Sequence, residues 1–171
     1  MKTAIHPQRQ QGLSLIVALV FLIILAMLGV TAATVATQQE RMAGHTRDRN
    51  IALQAAEAAL KDAEQNLATY CSNAKVQAYV PSNGNSGTAW DGVFGPVDGT
   101  PCANCFTPAL ALPATGTGRV AFPPEFYIEW KTGAGCPPTG STWRYRVTAR
   151  GVGASEDTTV ILQAEFDLTM L

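Results

Sequence analysis

Hydrophobic side chains fill the chain from position 13 to position 37 without a single charge. About 20 apolar residues in a helix span a bilayer core of about 30 Å, so this run is long enough to cross a membrane. Lys2 and Arg9 precede it and Glu40 is the first charge after it, an order that predicts a cytoplasmic N-terminus. The alternative is a core helix of a soluble protein, but the remaining sequence is too short to surround a helix that is apolar on every side.

A cleaved secretory signal peptide is a second alternative, because Ala32-Ala33-Thr34 and Thr34-Val35-Ala36 could serve as small-x-small cleavage sites. The apolar run is longer than the core of such a peptide, and helix-forming sequence continues through both positions. We therefore expect residues 13–37 to be a membrane-spanning helix half.

Helix-forming residues continue from Gln38 to about Thr69, where no proline occurs and Gly44 is the only glycine. An apolar stripe recurs at three- and four-residue steps, which is typical of an amphipathic helix. The stripe consists of Ala52, Ala56, Ala59, Leu60, Ala63 and Leu67. We predict one helix of roughly 85 Å from Leu13 to about Thr69, with residues 38–70 as its amphipathic half. Since alanine dominates the stripe, whatever packs on it must approach closely.

Period-two alternation predicts three strands, at 126–131, 143–150 and 158–168. The middle strand would place Trp143, Tyr145, Val147 and Ala149 inward and Arg144, Arg146, Thr148 and Arg150 outward. The last strand would place Val160, Leu162, Ala164, Phe166 and Leu168 inward. A hairpin through 151–157 sets the arginines opposite Glu165 and Asp167 on the solvent face. With the alanine stripe as cover, the expected fold is α+β, a long N-terminal helix packed on a C-terminal antiparallel sheet.

Four cysteines, Cys71, Cys102, Cys105 and Cys136, all follow the apolar run. Residues 71–171 are therefore expected to form a periplasmic domain, in which an even number of cysteines favours disulfides. The sequence leaves the pairing open. The two-residue gap between Cys102 and Cys105 also suits a zinc or redox site, but there is no second close pair and no helix start after it. The region 80–125 is rich in turn residues, and we expect short strands within it.

Charge and histidine content argue against two function classes. Removal of the first 12 residues takes away Lys2 and Arg9 and leaves 10 of the 12 basic residues. Against the 13 acidic residues, this gives a net charge of −3. Arg144, Arg146 and Arg150 could form a strip for DNA, but paired acids on the next strand favour a solvated face, and we expect no nucleic-acid partner.

No set of catalytic residues can be assembled from the sequence either. His6 lies in the N-terminal segment, and His45 is expected to be an exposed helix residue. We therefore expect neither an enzyme nor a metal or organic cofactor.

The N-terminal segment Gln8-Arg9-Gln10-Gln11-Gly12-Leu13 resembles a type IV prepilin leader, a short basic stretch that ends in glycine before the apolar helix. The resemblance implies that a prepilin peptidase removes residues 1–12 by cleaving between Gly12 and Leu13, and that Leu13 is then N-methylated. Glycine before the cut leaves room for an active site to approach the chain.

Three further segments resemble the PilX-type minor pilins: 41–49 with Arg41-Met42-Ala43-Gly44, 54–60 with Gln54-Ala55-Ala56-Glu57, and 145–151 with Tyr145-Arg146-Val147-Thr148. The resemblance implies a low-abundance subunit of the type IV pilus that promotes the start of pilus assembly. It also implies that this subunit lies near the tip of the pilus. Its partners would be other minor pilins, the major pilin, the prepilin peptidase and inner-membrane lipid, and a tip adhesin is a further candidate.

One position departs from the general pilin pattern. Major pilins carry a glutamate five residues into the mature chain, where this sequence has Val17. That acid is thought to pair with the N-terminal amine of a neighbouring subunit, and some tip-forming pseudopilins of type II secretion also lack it. There are two alternatives to a pilus subunit. One is a type II secretion pseudopilin, and the other is a periplasmic binding module on an uncleaved anchor.

Overall fold

The computed structural model describes residues 13–79, 93–108 and 118–171. The predicted leader with Gly12, and the parts 80–92 and 109–117 of the turn-rich region, lie outside the described residues. The elements in chain order are α1 (Leu13–Gln65), α2 (Leu67–Tyr70), β1 (Gln77–Ala78), β2 (Glu125–Trp130), β3 (Thr142–Val152) and β4 (Thr159–Thr169). The predicted α+β fold, a long N-terminal helix packed on a largely antiparallel sheet, is confirmed.

The chain divides into two compact units, residues up to Gly44 and residues from His45 onward. The described part of the first unit consists of helix alone, and the large apolar side chains from Leu15 to Val35 are all exposed. By length and composition this is a helix that could cross a membrane. An apolar surface of this extent is stable only against lipid or other apolar helices.

In the second unit the helix ends slightly earlier than predicted. Instead of one helix to about Thr69, α1 stops at Gln65, and Asn66 leaves the helical conformation with φ −109° and ψ 13° before α2 adds one more turn. The Asn66 side chain donates to the Asp62 carboxylate, 3.0 Å away, and to the Asp62 carbonyl. Asparagine is a poor residue for a helix interior because its side chain competes for nearby backbone and side-chain groups.

All three predicted strands are confirmed, and a fourth, short strand was not predicted. The sheet order is β1-β2-β3-β4, with β2, β3 and β4 antiparallel and β1 parallel to β2. The register of the hairpin places Arg144 opposite Asp167 and Arg146 opposite Glu165, as predicted. In the described parts of the region 80–125 that precede β2, the expected short strands are replaced by one isolated bridge, Phe106 with Phe126. That expectation is therefore wrong for these residues.

The main core lies between the helix and one face of the sheet. Its helix side is the predicted alanine stripe, in which Ala52, Ala56, Ala59 and Ala63 are fully buried. Its sheet side consists of Phe126, Ile128, Tyr145, Val147 and Ala149. At the C-terminal end of α2 the Tyr70 ring contacts the rings of Phe106 and Phe126, whose centroids lie 4.7 and 5.3 Å from its own. Small helix residues and large strand residues thus interdigitate, which brings the helix backbone close to the sheet.

The closest approach occurs at the end of β3. Gly151 lies so near to Ala52 and Ala56 that a Cβ atom there would collide with the helix backbone. One turn further, Asp48 accepts hydrogen bonds from the backbone N–H groups of Ala154 and Ser155, at 2.5 and 3.1 Å. Partial burial alone would raise the pKa of Asp48, but these bonds and one from Thr158 lower it. The helix therefore holds the β3–β4 turn in a defined position.

Replacing Gly151 with alanine tests this close packing. We expect Gly151→Ala to lower the free energy of unfolding by about 1–3 kcal/mol, because the added methyl group meets backbone atoms that cannot rotate away. Gly44→Ala is the matched control, since nothing lies within 4 Å of its position and alanine favours a helix by about 1 kcal/mol. Denaturant unfolding of the detergent-solubilised chain, followed by tyrosine and tryptophan signals, measures both. Equal stability of the two variants would contradict the predicted contact.

Candidate functional site

The exposed apolar part of α1 is the first candidate interaction surface. Three of its threonine hydroxyls are hydrogen-bonded within the helix: those of Thr31, Thr34 and Thr37 donate to the carbonyls of Met27, Thr31 and Thr34 at 2.8–2.9 Å. Such internal bonding removes the cost of placing hydroxyl groups in an apolar medium. Val17 lies on this helix with about half of its surface exposed (47%). α1 is described from Leu13 onward, and Gly12 of the predicted cleavage position lies outside the described residues.

The outer face of the sheet, opposite the helix, is the second candidate. The sequence predicted that Arg144, Arg146, Thr148 and Arg150 all face solvent, and this is correct for Arg144, while Arg146 is half-buried. Thr148 is fully buried and Arg150 is 7% exposed. They are covered because residues 93–108, a part of the turn-rich region that forms a covering segment, fold over this end of the sheet. This covering segment packs Phe94 and Cys105 against Tyr127. The domain therefore has a second apolar cluster on the outer face.

Arg150 is held in this covered region by specific partners. Its guanidinium donates to the Glu125 carboxylate across the strand pair at 2.9 Å and to the Gly95 carbonyl at 2.9 Å. The ring of Phe94 lies 5.0 Å from the guanidinium carbon. Glu125 is 6% exposed, so both charges of this ion pair are withdrawn from water. The bond from Arg150 to Gly95 connects the covering segment to the sheet.

Sequence reasoning missed the acidic row of β2 that makes this arrangement possible. Glu125 and Glu129 are both buried, lie opposite Arg150 and Arg146 in the register, and share a face with Tyr127. Burial raises the pKa of Tyr127, and the charge of Glu129 adds to the effect. The sequence held a signal for this row, since acids four apart on one strand match arginines four apart on the next strand.

At the other end of the same face the predicted ion pairs are partly exposed to solvent. The Arg144 guanidinium forms a bidentate ion pair with the Asp167 carboxylate, with N···O distances of 2.8 and 3.0 Å. One oxygen of Glu165 accepts from Lys131 at 2.7 Å and from Arg146 at 3.1 Å. These bonds lower the pKa of both carboxyl groups, for Asp167 chiefly through Arg144 and for Glu165 chiefly through Lys131. Charge pairs of this kind add specificity of register more than stability.

The disulfides connect the layers. Cys71, just after α2, is bonded to Cys136, which lies in the connection between β2 and β3, and Cys102 is bonded to Cys105 in the covering segment. Cys102, Cys105 and Glu125 offer ligand atoms within 4.8 Å of one another. In the structure both sulfurs are used in the disulfide and Glu125 is paired with Arg150, so this group does not fit a metal ion.

An open cleft of about 440 Å³ lies in the covering segment, lined chiefly by Phe94, Pro96, Pro101, Asn104 and Tyr127. Its wall combines apolar rings with a few polar groups. The His45 side chain on α1 is exposed to solvent, as predicted.

The buried ion pair can be tested against an exposed one on the same sheet face. We expect Glu125→Gln to lower the free energy of unfolding by about 3–5 kcal/mol, because it leaves the Arg150 charge buried without its partner. The matched control, Glu165→Gln, should cost less than about 1 kcal/mol, because water can solvate Lys131 and Arg146 instead. Denaturant titration of the two variants beside the wild type gives the comparison. A loss of equal size in both would show that the covering segment does not exclude water from Arg150.

Comparisons with known proteins identify the architecture described above. The PilX N-terminal family matches residues 11–61, which include the apolar helix and most of the alanine stripe. The family described as type IV pilus assembly protein PilX C-term matches residues 58–167, which include all four cysteines and the sheet except the last two residues of β4. Among curated proteins and solved structures, no match to this chain was found. The two family matches together span both structural units, and the chain belongs to the PilX family of type IV pilus proteins.

Proposed function

We propose that this protein is a minor pilin, a low-copy subunit of the type IV pilus that promotes the start of assembly and lies near the tip. The observation that carries the proposal is the combination of an exposed apolar helix with a folded domain, matched over both parts by the PilX family. Such a helix provides a membrane anchor before assembly and a surface for packing against other pilins afterwards. The role is structural, with no catalytic step.

Residues 1–12 would serve as the prepilin leader. A peptidase at the cytoplasmic face would cut between Gly12 and Leu13, and the new amine of Leu13 would be methylated. A peptidase at this site must reach extended chain before the apolar helix, and the glycine at position 12 leaves room for its active site to approach. Residues 13–37 would then lie in the membrane, residues 38–70 would link them to the domain, and residues 71–171 would face the periplasm.

The missing acid at Val17 supports a place near the tip. In a filament, a glutamate at this position would be offered to the amine of the neighbouring subunit, and a subunit with no neighbour above it has no need to offer one. Val17 is an exposed apolar residue in an apolar stretch of helix, which suits packing without a charge.

A type II secretion pseudopilin would share the helix and the leader, and deletion of the gene separates the two proposals. Loss of surface pili with secretion intact supports the pilin, and the reverse supports the pseudopilin. An anchored periplasmic binding module differs in its N-terminus, which would remain uncleaved.

Leader cleavage is tested by Gly12→Val. We expect this variant to insert into the membrane normally, because the apolar run is unchanged, but to accumulate as the unprocessed precursor. Gly29→Val, which places the same side chain in open space on the helix, is the matched control and should be processed. Mass spectrometry of the isolated protein reads the N-terminus directly. Normal maturation of Gly12→Val, or an intact Met1 in the wild type, would exclude the prepilin assignment.

The place near the tip is tested by Val17→Glu. The new carboxylate would find no amine to pair with, at a cost of about 2–3 kcal/mol at mid-bilayer and less near the interface. We expect fewer pili with unchanged leader cleavage, whereas the apolar control Val17→Ala should assemble like the wild type. Pilus counts by electron microscopy and immunoblots of the processed subunit provide the measurements. If Val17→Glu assembles as well as the wild type, the tip proposal loses its support.

A further inference from the structure

The Cys102–Cys105 disulfide lies in the wall of the open cleft in the covering segment. Cys102 is half-buried and lines the cleft together with Phe94, Pro96 and Tyr127. Cys105 is only 2% exposed and packs behind the cleft in the second apolar cluster. One cysteine of the pair therefore borders the cleft, and the other is shielded by the domain.

The backbone holds these two cysteines close together, in addition to the bond between their sulfurs. The N–H of Cys105 donates to the Cys102 carbonyl at 3.2 Å, which closes a turn with two exposed residues at its centre. A bond across three positions removes little freedom from the unfolded chain, whereas the Cys71–Cys136 bond spans 65 positions. The Cys102–Cys105 bond can therefore open and close again while the domain remains folded.

A positive charge offsets the burial of Cys105. Burial in apolar surroundings disfavours a thiolate, which is the form of sulfur that leaves and attacks in disulfide chemistry. The Lys75 ammonium group donates to the Cys105 carbonyl at 2.8 Å, and a cation beside a cysteine stabilises its thiolate. The Glu125 carboxylate lies within 4.8 Å of both sulfurs, but Arg150 at 2.9 Å balances its charge. The surroundings of Cys105 therefore support its release as a thiolate.

We propose that the Cys102–Cys105 pair is a site of thiol–disulfide exchange with a dithiol on another polypeptide, which docks in the cleft. A thiolate of the dithiol attacks the Cys102 sulfur, the bond to Cys105 breaks, and the Cys105 sulfur leaves with the electron pair and takes up a proton. The second thiolate of the dithiol then attacks the partner's own sulfur in the mixed disulfide and releases Cys102, which is also protonated. Two electrons have then passed to this protein, and the dithiol has become a disulfide.

The chemistry of the cleft indicates the kind of dithiol. Because aromatic and proline rings form most of its wall, a cysteine pair flanked by apolar side chains fits best. The exchange is stoichiometric, since Cys102 lies in a turn and lacks the helix N-terminus that activates the cysteine of many redox enzymes. It goes beyond the proposed function and does not depend on leader cleavage or on a place near the tip.

Reduction of the folded chain tests the exchange directly. The full chain in detergent is treated with dithiothreitol, quenched with acid and alkylated, and mass spectrometry of fragments reads each cysteine. We expect Cys102 and Cys105 to become alkylated at least about tenfold faster than Cys71 and Cys136, which belong to the main core. In guanidinium chloride this difference should disappear, because both bonds are then open to solvent. Reduction of all four cysteines at one rate in the folded chain would overturn the proposal.

Single-cysteine variants show which sulfur meets the partner. Cys105→Ala leaves a Cys102 thiol, which should form a mixed disulfide with a peptide whose one cysteine is activated as a pyridyl disulfide between valine and phenylalanine. Cys102→Ala is the matched control, and its buried thiol should react at least about tenfold more slowly. A peptide with glycine and serine beside the cysteine should also react more slowly with Cys105→Ala. Equal rates for the two variants, or for the two peptides, would overturn docking at Cys102, and the wild-type reduction decides if a variant fails to fold.

The charge beside Cys105 is tested by Lys75→Gln. We expect this variant to slow the reduction of the Cys102–Cys105 bond by about threefold or more, with the Cys71–Cys136 bond unaffected. Lys75→Arg is the matched control and should keep the wild-type rate, because it keeps the positive charge. The same dithiothreitol series measures both. If the two variants are reduced equally fast, the role given to Lys75 is wrong.

Discussion

The close contact between the alanine stripe of α1 and the inner face of the sheet is the constraint on which the folded domain depends. Fully buried alanines on the helix and a glycine at Gly151 bring two backbones together, so the register of β3 relative to the helix has little freedom. Asp48 then holds the β3–β4 turn through backbone N–H groups. Because the same helix continues into the apolar stretch before Gly44, the element that anchors the protein is also the element that positions its sheet.

The sheet is covered on both faces at one end and exposed at the other. Residues 93–108 bury Arg150, Glu125 and Tyr127 under a small apolar cluster that the Cys102–Cys105 disulfide holds. The second disulfide, Cys71–Cys136, closes a separation of 65 residues, which in the chain-entropy view is worth roughly 4 kcal/mol. A modest helix–sheet core thus gains a third layer over one end of the sheet.

These features divide the protein into surfaces with different tasks. The apolar helix is suited to lipid and to other pilins, the covered end of the sheet keeps the fold intact, and the less covered end presents ion pairs. In the proposed role as a filament subunit, the apolar helix would make the contacts with other pilins.

The sequence by itself determined the elements whose signals are local. The charge-free run, the alanine periodicity and the period-two strands predict the helix and the β2–β3–β4 meander, because each pattern reflects which face of one element meets water. The register followed as well, since Arg144 and Arg146 had matching acids on the next strand. Only the tertiary structure decided that Arg150 is buried, which cysteines pair, and that β1 lies parallel to β2. The burial of Arg150 depends on where residues 93–108 fold, and a turn-rich segment with no periodicity carries no local signal of which distant surface it will cover. The Cys71–Cys136 bond and β1 depend on contacts between the chain after α2 and residues in or after β2, which are distant in sequence and likewise leave no local signal.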